Sequence, residues 1–178
     1  MGLKINDVKI ITKHLELVPC DIRILRAAIA GDSVLAELLD IKIIPGWTIF
    51  GLEPLEYVMQ RLNSSRHEVG WWTYFPIHTA ESALIGCGGY KGPPNAAGEI
   101  EIGYEIAASY QGKGYATEMS MALVEHAFKA EEVSRIFAHT LGYKNASGSV
   151  LKKCGFKQVG EIEDPDLGRI WKWQVNKS

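Results

Sequence analysis

Cysteine is scarce in this 178-residue chain, and Cys20, Cys87 and Cys154 are widely separated and odd in number. They make neither a metal-ligand spacing nor a disulfide framework, which points to a reducing cytosol. His14, His67, His78 and His126 have no partners at ligand spacing either, so no metal site is expected. Basic runs and stripes are missing and the formal net charge is −2, which argues against nucleic acid or an acidic membrane surface as partner. No apolar run approaches the length of a membrane span. Residues 1–13 mix polar and apolar side chains with no signal-peptide core. Asn6 stands where a myristoylation motif wants Ser or Thr. The expected location is cytoplasmic, and without a secretory signal the sequon Asn145-Ala146-Ser147 carries no meaning. Repeats, low-complexity stretches and linkers are absent. With 47% apolar residues and five Trp, residues 1–178 are expected to form one compact domain.

What is present reads as a mixed chain. A strand over 13–17 ends at Pro19, and Asp21 caps a helix over 22–30 that Gly31 stops. Asp32 or Ser33 caps a helix over 34–39, and Glu53-Pro54 opens another that runs to about Leu62. Strand-like runs follow over 70–77, 83–90 and 99–106. Residues 116–129 are helical, with Ala116, Met119, Leu123 and Ala127 on one face and Glu118, Glu125 and Lys129 on the other. A strand over 134–140, a short helix over 147–153 capped by Ser147, and strands over 156–162 and 170–175 complete the order. Helices first, then neighbouring strands, then alternation imply a mixed sheet covered by helices, of α+β or α/β type.

The most informative stretch is Gln111-Gly112-Lys113-Gly114-Tyr115-Ala116-Thr117, between the alternating strand 99–106 and a helix start. Glycines let a backbone approach an anion closely, and the first amides of a helix have no intrahelical partner. The helix dipole adds positive potential there, so the loop suits a phosphate. It is not a Walker loop, because Gly112-Lys113 is followed by Gly114 and Ala108 occupies the earlier glycine position. It is not a dinucleotide fingerprint either, because Thr117 occupies the last position.

Gln111-x-x-Gly114-x-Ala116 resembles the Gln/Arg-x-x-Gly-x-Gly/Ala signature of the GCN5-related N-acetyltransferases, the GNAT superfamily. Glu101-Ile102-Gly103-Tyr104, the run Tyr110 to Glu118, Asn145-Ala146-Ser147 and Val150-Leu151-Lys152-Lys153-Cys154-Gly155-Phe156 are similar to its ribosomal-protein N-terminal acetyltransferase branch, RimJ/RimL-like. The resemblance covers nearly the whole chain and implies a mostly antiparallel twisted sheet with a splayed pair of strands and helices on both faces. It implies acetyl-CoA as co-substrate, its pyrophosphate held by Gln111, Gly112, Lys113, Gly114, Tyr115, Ala116 and Thr117. Pantetheine then adds like a strand in the splay, and a backbone amide near Ile106 to Ala108, with Ile106 and Ala107 foremost, supports the thioester oxygen. Asn145 or Ser147 contacts the cofactor.

The same resemblance places Glu101 near the thioester. Two readings stand for it: base or anchor for the incoming ammonium, or a residue of a solvated acidic face shared with Glu99 and Glu105. The family's thiolate-protonating tyrosine is replaced by Leu151, so Ser147 or Ser149 is the candidate acid, or the thiolate leaves unaided. Cys154 reads as packing rather than a nucleophile. The variable half walls the acceptor pocket, where Trp47, Tyr74 and His139 are assigned to substrate. Trp71 and Trp72 must point to opposite strand faces, so one of them is expected in the core. The implied acceptor is a peptide N-terminus or a small-molecule amine, and the protein a monomer or homodimer. The rival outside the enzymes is an acyl-CoA-binding module without turnover.

Overall fold

A computed structural model describes residues 8–178. The reading of the first seven residues, including Asn6, lies outside them. The strands are β1 (Ile10–Ile11), β2 (Leu15–Pro19), β3 (Lys42–Ile43), β4 (Thr73–His78), β5 (Ala83–Leu84), β6 (Gly86–Tyr90), β7 (Glu99–Ile106), β8 (Arg135–Leu141), β9 (Lys157–Asp164) and β10 (Gly168–Asn176). The helices are α1 (Ile22–Ala30), α2 (Asp32–Leu39), α3 (Glu53–Ser64), α4 (Tyr115–Ala127) and α5 (Ala146–Lys153). The strands form one sheet in the order β1-β2-β4-β6-β7-β8-β10-β9, with β3 and β5 paired beside that path. Among the described residues every pairing is antiparallel except β3 with β5 and β7 with β8. This is the mixed, mostly antiparallel architecture the sequence implies.

Each sheet face has its own core. On one, α4 and α5 bring Met119, Leu123, Ala127 and Leu151 against Ile100, Ile102, Ile136 and Trp173. On the other, α1, α2 and α3 bring Leu25, Leu35 and Leu62 against Val18, Phe75, Ile77 and Leu84. The second core takes its strand residues from β2, β4 and β5, with Cys87 at its rim, so the helices α1–α3 stop short of β7. The expectation that one of Trp71 and Trp72 is core is corrected. Both are buried, one in each cluster, because the sheet is covered on both sides at β4.

Local chemistry explains where the elements break. The expected strand over 83–90 is two strands, interrupted at Ile85. Pro76 of β4 lies beside the interruption: its carbonyl accepts from the Ile85 amide at 3.1 Å, but it has no N–H to return, so the ladder cannot continue. Asp21 caps α1 as its spacing requires, accepting from the Ile24 amide at 2.9 Å. Asp32 and Ser33 do not cap α2, which starts at Asp32 after Gly31. The Asp32 carboxylate accepts instead from the Trp47 indole N–H at 3.1 Å. Asn145, not Ser147, caps α5, its Oδ1 accepting from the Gly148 amide at 2.9 Å. Cys154 packs as expected: burial pushes its thiol up to about 11, which leaves little thiolate near neutrality. Among the described residues no helix is long and apolar enough to cross a membrane.

Candidate active site

The site begins with a fault in the sheet. β7 and β8 run parallel and pair only from Glu99↔Arg135 to Glu101↔Phe137. Beyond that register, among the described residues, β7 continues to Ile106 against β6 alone, while β8 continues to Leu141 against β10 alone. Two unpaired strand edges therefore face each other in the middle of the sheet. Amides alternate sides along a strand, and the Ala107 amide donates to the Ile85 carbonyl at 2.8 Å, toward β6. The Ile106 and Tyr104 amides consequently point into the gap, free to pair with an extended guest. Ala107, expected to support a thioester oxygen, is committed to Ile85; Ile106 retains that capacity.

At the open end of the gap, a single 3-10 turn at Ala108–Tyr110 leads into Gln111 and α4. Gly112 and Gly114 adopt φ of +74° and +88°, backbone that side-chain-bearing residues disfavour. Gly114 is the N-cap and supplies no side-chain bond; the first helical bond is Glu118 N–H to Gly114 O at 3.0 Å. Among the described residues, the amides of Gly112, Lys113, Gly114, Tyr115, Ala116 and Thr117 make no hydrogen bond. Six open donors at a helix N-terminus form a cradle for an anion. The Gln111 side chain turns away from it: Nε2 donates to the Ile106 carbonyl at 2.8 Å, tying the loop to the end of β7. Beneath the loop, His78, Tyr110 and Tyr115 form a ring cluster with centroids 5.1–6.2 Å apart. The Tyr115 hydroxyl lies 3.0 Å from His78 Nε2. The Tyr110 hydroxyl donates to Glu81, which raises Tyr110 to about 12.

At the closed end stands Glu101, on the sheet face that α1–α3 leave uncovered. Its Oε1 accepts from Lys91 Nζ and lies 2.9 Å from His139 Nδ1. Burial alone would raise the carboxyl, but the hydrogen bonds from Lys91 and His139 outweigh it and hold it below the ordinary range. Glu101 is thus ionised near neutrality. Glu105, two steps along the same face, goes the other way: burial raises it despite two backbone donors. Those donors are the amides of Ile49 (2.8 Å) and Phe50 (3.3 Å), so Glu105 tethers the loop before α3 beside the gap. Ile49 and Phe50 are exposed there.

On the opposite face, the Tyr104 hydroxyl lies 3.1 Å from Ser147 Oγ and donates to the Ser147 carbonyl. Burial first, with Ser147 opposing, raises Tyr104 to about 12. The pair is therefore a protonated hydroxyl couple joining β7 to the first turn of α5. Asn145 spends its side chain on the α5 cap and on the Leu141 carbonyl at 3.3 Å.

Two residues expected at the acceptor are elsewhere. Trp47 is 3% exposed, packed edge-on to Phe75 at 5.1 Å. Tyr74 is fully buried with its hydroxyl on the Gly70 carbonyl. His139 does stand at the gap. Lys91 and the Tyr104 hydroxyl are the additions: Lys91 reaches Glu101 because its amide pairs with the Glu101 carbonyl at 2.9 Å. That cross-strand register has no signal in the sequence.

Comparison with known proteins agrees with this geometry. The family described as "Acetyltransferase (GNAT) domain" matches residues 47–157. The uncharacterized N-acetyltransferase YjdG of Bacillus subtilis (strain 168) is 29% identical over 146 residues, covering 82% of this chain and 87% of that one. Ribosomal-protein-S5-alanine acetyltransferase from Vibrio fischeri superposes with a TM-score of 0.71 at 19% identity, over 97% of this chain and 98% of that one. A RimL ribosomal L7/L12 alpha-N-protein acetyltransferase solved with coenzyme A gives 0.70 at 17% identity, over 95% and 98%. The structural likenesses establish the shared fold, and the matched family spans well over half of the chain. The chain belongs to the GNAT family and is an N-acetyltransferase by class.

Proposed function

We propose that this protein carries acetyl-CoA in the β7–β8 gap and passes the acetyl group directly to a primary amine, with a peptide N-terminus as the acceptor. The observation that carries the reading is the unpaired gap in register with six open amides at its wide end. In this reading the amides from Gly112 to Thr117 hold the pyrophosphate, and Tyr104 and Ile106 pair with pantetheine through their backbones. The Tyr104 amide, the gap-facing donor nearer Glu101 and His139, then stabilises the oxyanion as it forms. The Tyr104–Ser147 couple supplies the proton for the departing thiolate.

The acceptor approaches across the uncovered face, where Glu101 and Glu105 attract an ammonium and Ile49 and Phe50 offer apolar contact. The fold likeness to two ribosomal-protein acetyltransferases supports a peptide acceptor; a polyamine would meet the same carboxylates. The protein works in the cytosol in this account and needs no metal. Thiol release from acetyl-CoA, measured against peptides with free N-terminal Ser or Ala and against spermidine, tests it. Turnover with a free amine and none with the N-acetylated peptide is expected. Acetyl-CoA binding with no thiol release above hydrolysis on any acceptor would make the chain a binding module instead.

A further inference from the structure

We infer that His139, oriented by Glu101, is the group that takes the proton from the acceptor ammonium. This rests on the acetyltransfer reading above. His139 is two residues past Phe137, the last β8 residue paired with β7, so it shares the face of Glu101 where the strands part. The two side chains are 26% and 27% exposed, half-sheltered yet reachable. His139 Nδ1 lies 2.9 Å from Glu101 Oε1. An ionised carboxylate can only accept, so the Nδ1 position carries a proton, and in the neutral ring Nε2 then keeps its lone pair. Among the described residues Nε2 has no hydrogen-bond partner. A carboxylate fixing one imidazole nitrogen so that the other can act is the orienter–base arrangement of many active sites.

The charges around the imidazole support that division of labour. Glu101 and Lys91 face it from the β7 side, and Lys172 lies directly opposite on β10, its Nζ 3.8 Å from the centre of the Phe137 ring. The Glu99–Arg135 pair closes the end of the register at 3.4 Å. Lys91 and His139 hold Glu101 below the ordinary carboxylate range, so it is poorly matched to the α-ammonium of a peptide N-terminus, which ordinarily titrates at about 8. A neutral imidazole is the closer match.

R–NH3⁺ gives one proton to His139 Nε2, forming imidazolium, and the freed nitrogen lone pair bonds to the thioester carbon while the carbonyl π electrons move to oxygen. The tetrahedral intermediate collapses, the C–S bond breaks, and its electron pair leaves on sulfur. The thiolate takes the second nitrogen proton by way of the Tyr104–Ser147 couple, giving amide and CoA thiol. The imidazolium returns its proton to water.

The test compares wild type, His139→Gln and Glu101→Gln with acetyl-CoA and the free-amine peptide, following kcat/KM against pH and acetyl-CoA affinity by calorimetry. His139→Gln is expected to lose about 100-fold at neutral pH and to lose the wild-type acid limb, its rate rising only with the free-amine fraction. Glu101→Gln, a change at a positioning residue, is expected to lose about tenfold and to keep the limb. Both variants are expected to bind acetyl-CoA as wild type does. The ¹⁵N spectrum of His139 in the wild-type protein is expected to show the Nδ1–H tautomer. An unchanged limb and rate in His139→Gln, or an Nε2–H tautomer, overturns the assignment alone. A wild type that binds acetyl-CoA but acetylates no amine overturns the acetyltransfer reading and this assignment with it.

Discussion

Gly114→Val is expected to weaken acetyl-CoA binding about 10- to 100-fold, a loss of about 1.4–2.8 kcal/mol, while the protein still folds. The reason lies in two features of one position. Gly114 has φ +88°, and a Cβ built there meets nothing within 4 Å. The first side-chain carbon therefore has room, and the main structural cost is the backbone strain of a β-branched residue at positive φ, about 1–3 kcal/mol. In the proposed reading that space is the floor of the anion cradle, and the strain is relieved by turning the loop amides away from it. S-acetylpantetheine, which has no pyrophosphate, provides the control. Wild type should prefer acetyl-CoA over it, and Gly114→Val should lose most of that preference, with the truncated donor itself little affected. Calorimetric titration of both donors against both proteins measures this. Equal weakening toward the two donors would mean that the variant damages the gap rather than the cradle.

Trp173→Ala should be the most destabilising single change near the site, at about 3–5 kcal/mol. Trp173 is 1% exposed, and its indole N–H donates to Thr140 Oγ1 at 2.9 Å. A Cβ on Gly148 would come within 3.1 Å of its ring, so the first turn of α5 rests on the indole. Removing it leaves a cavity under the turn that presents Ser147 to Tyr104. At roughly 2–4 °C per kcal/mol for a domain of this size, the melting temperature should fall by about 10 °C. Val159→Ala, on a residue 52% exposed in the edge strand β9, should change stability by no more than about 0.5 kcal/mol. Calorimetric melting of the three proteins makes the comparison. A small effect at Trp173 would mean that α5 is held mainly by its Asn145 cap.

The two ends of the gap differ in how far sequence reveals them. The cradle is legible because it is local: two glycines, a helix start and a preceding alternating strand lie within 20 residues of chain, and each constrains backbone directly. The closed end is assembled across strands. Glu101 stands out by alternation, but Lys91 and His139 reach it only through the pairings of β7 with β6 and β8, which depend on how the sheet settles. Where the sequence reading fails, burial or register decides. A tryptophan beside Pro45-Gly46 looks like a loop aromatic needing a ligand, yet α1–α3 close over Trp47 and Asp32 takes its N–H. Asn145 and Ser147 are both good caps, and a two-residue shift in the helix start gives the cap to one and frees the other for Tyr104. Pro76 splits its neighbouring strand from across the sheet, an effect invisible in the stretch that it breaks.

The central claim, that the β7–β8 gap is where the acetyl donor lies, is tested most directly by a crystal structure with coenzyme A bound. The account predicts pyrophosphate on the amides from Gly112 to Thr117, pantetheine lying between β7 and β8 along the Tyr104 and Ile106 backbone, and sulfur toward the end where Glu101 and His139 meet. Coenzyme A bound elsewhere on the protein, with the gap empty or closed by strand pairing, would contradict it.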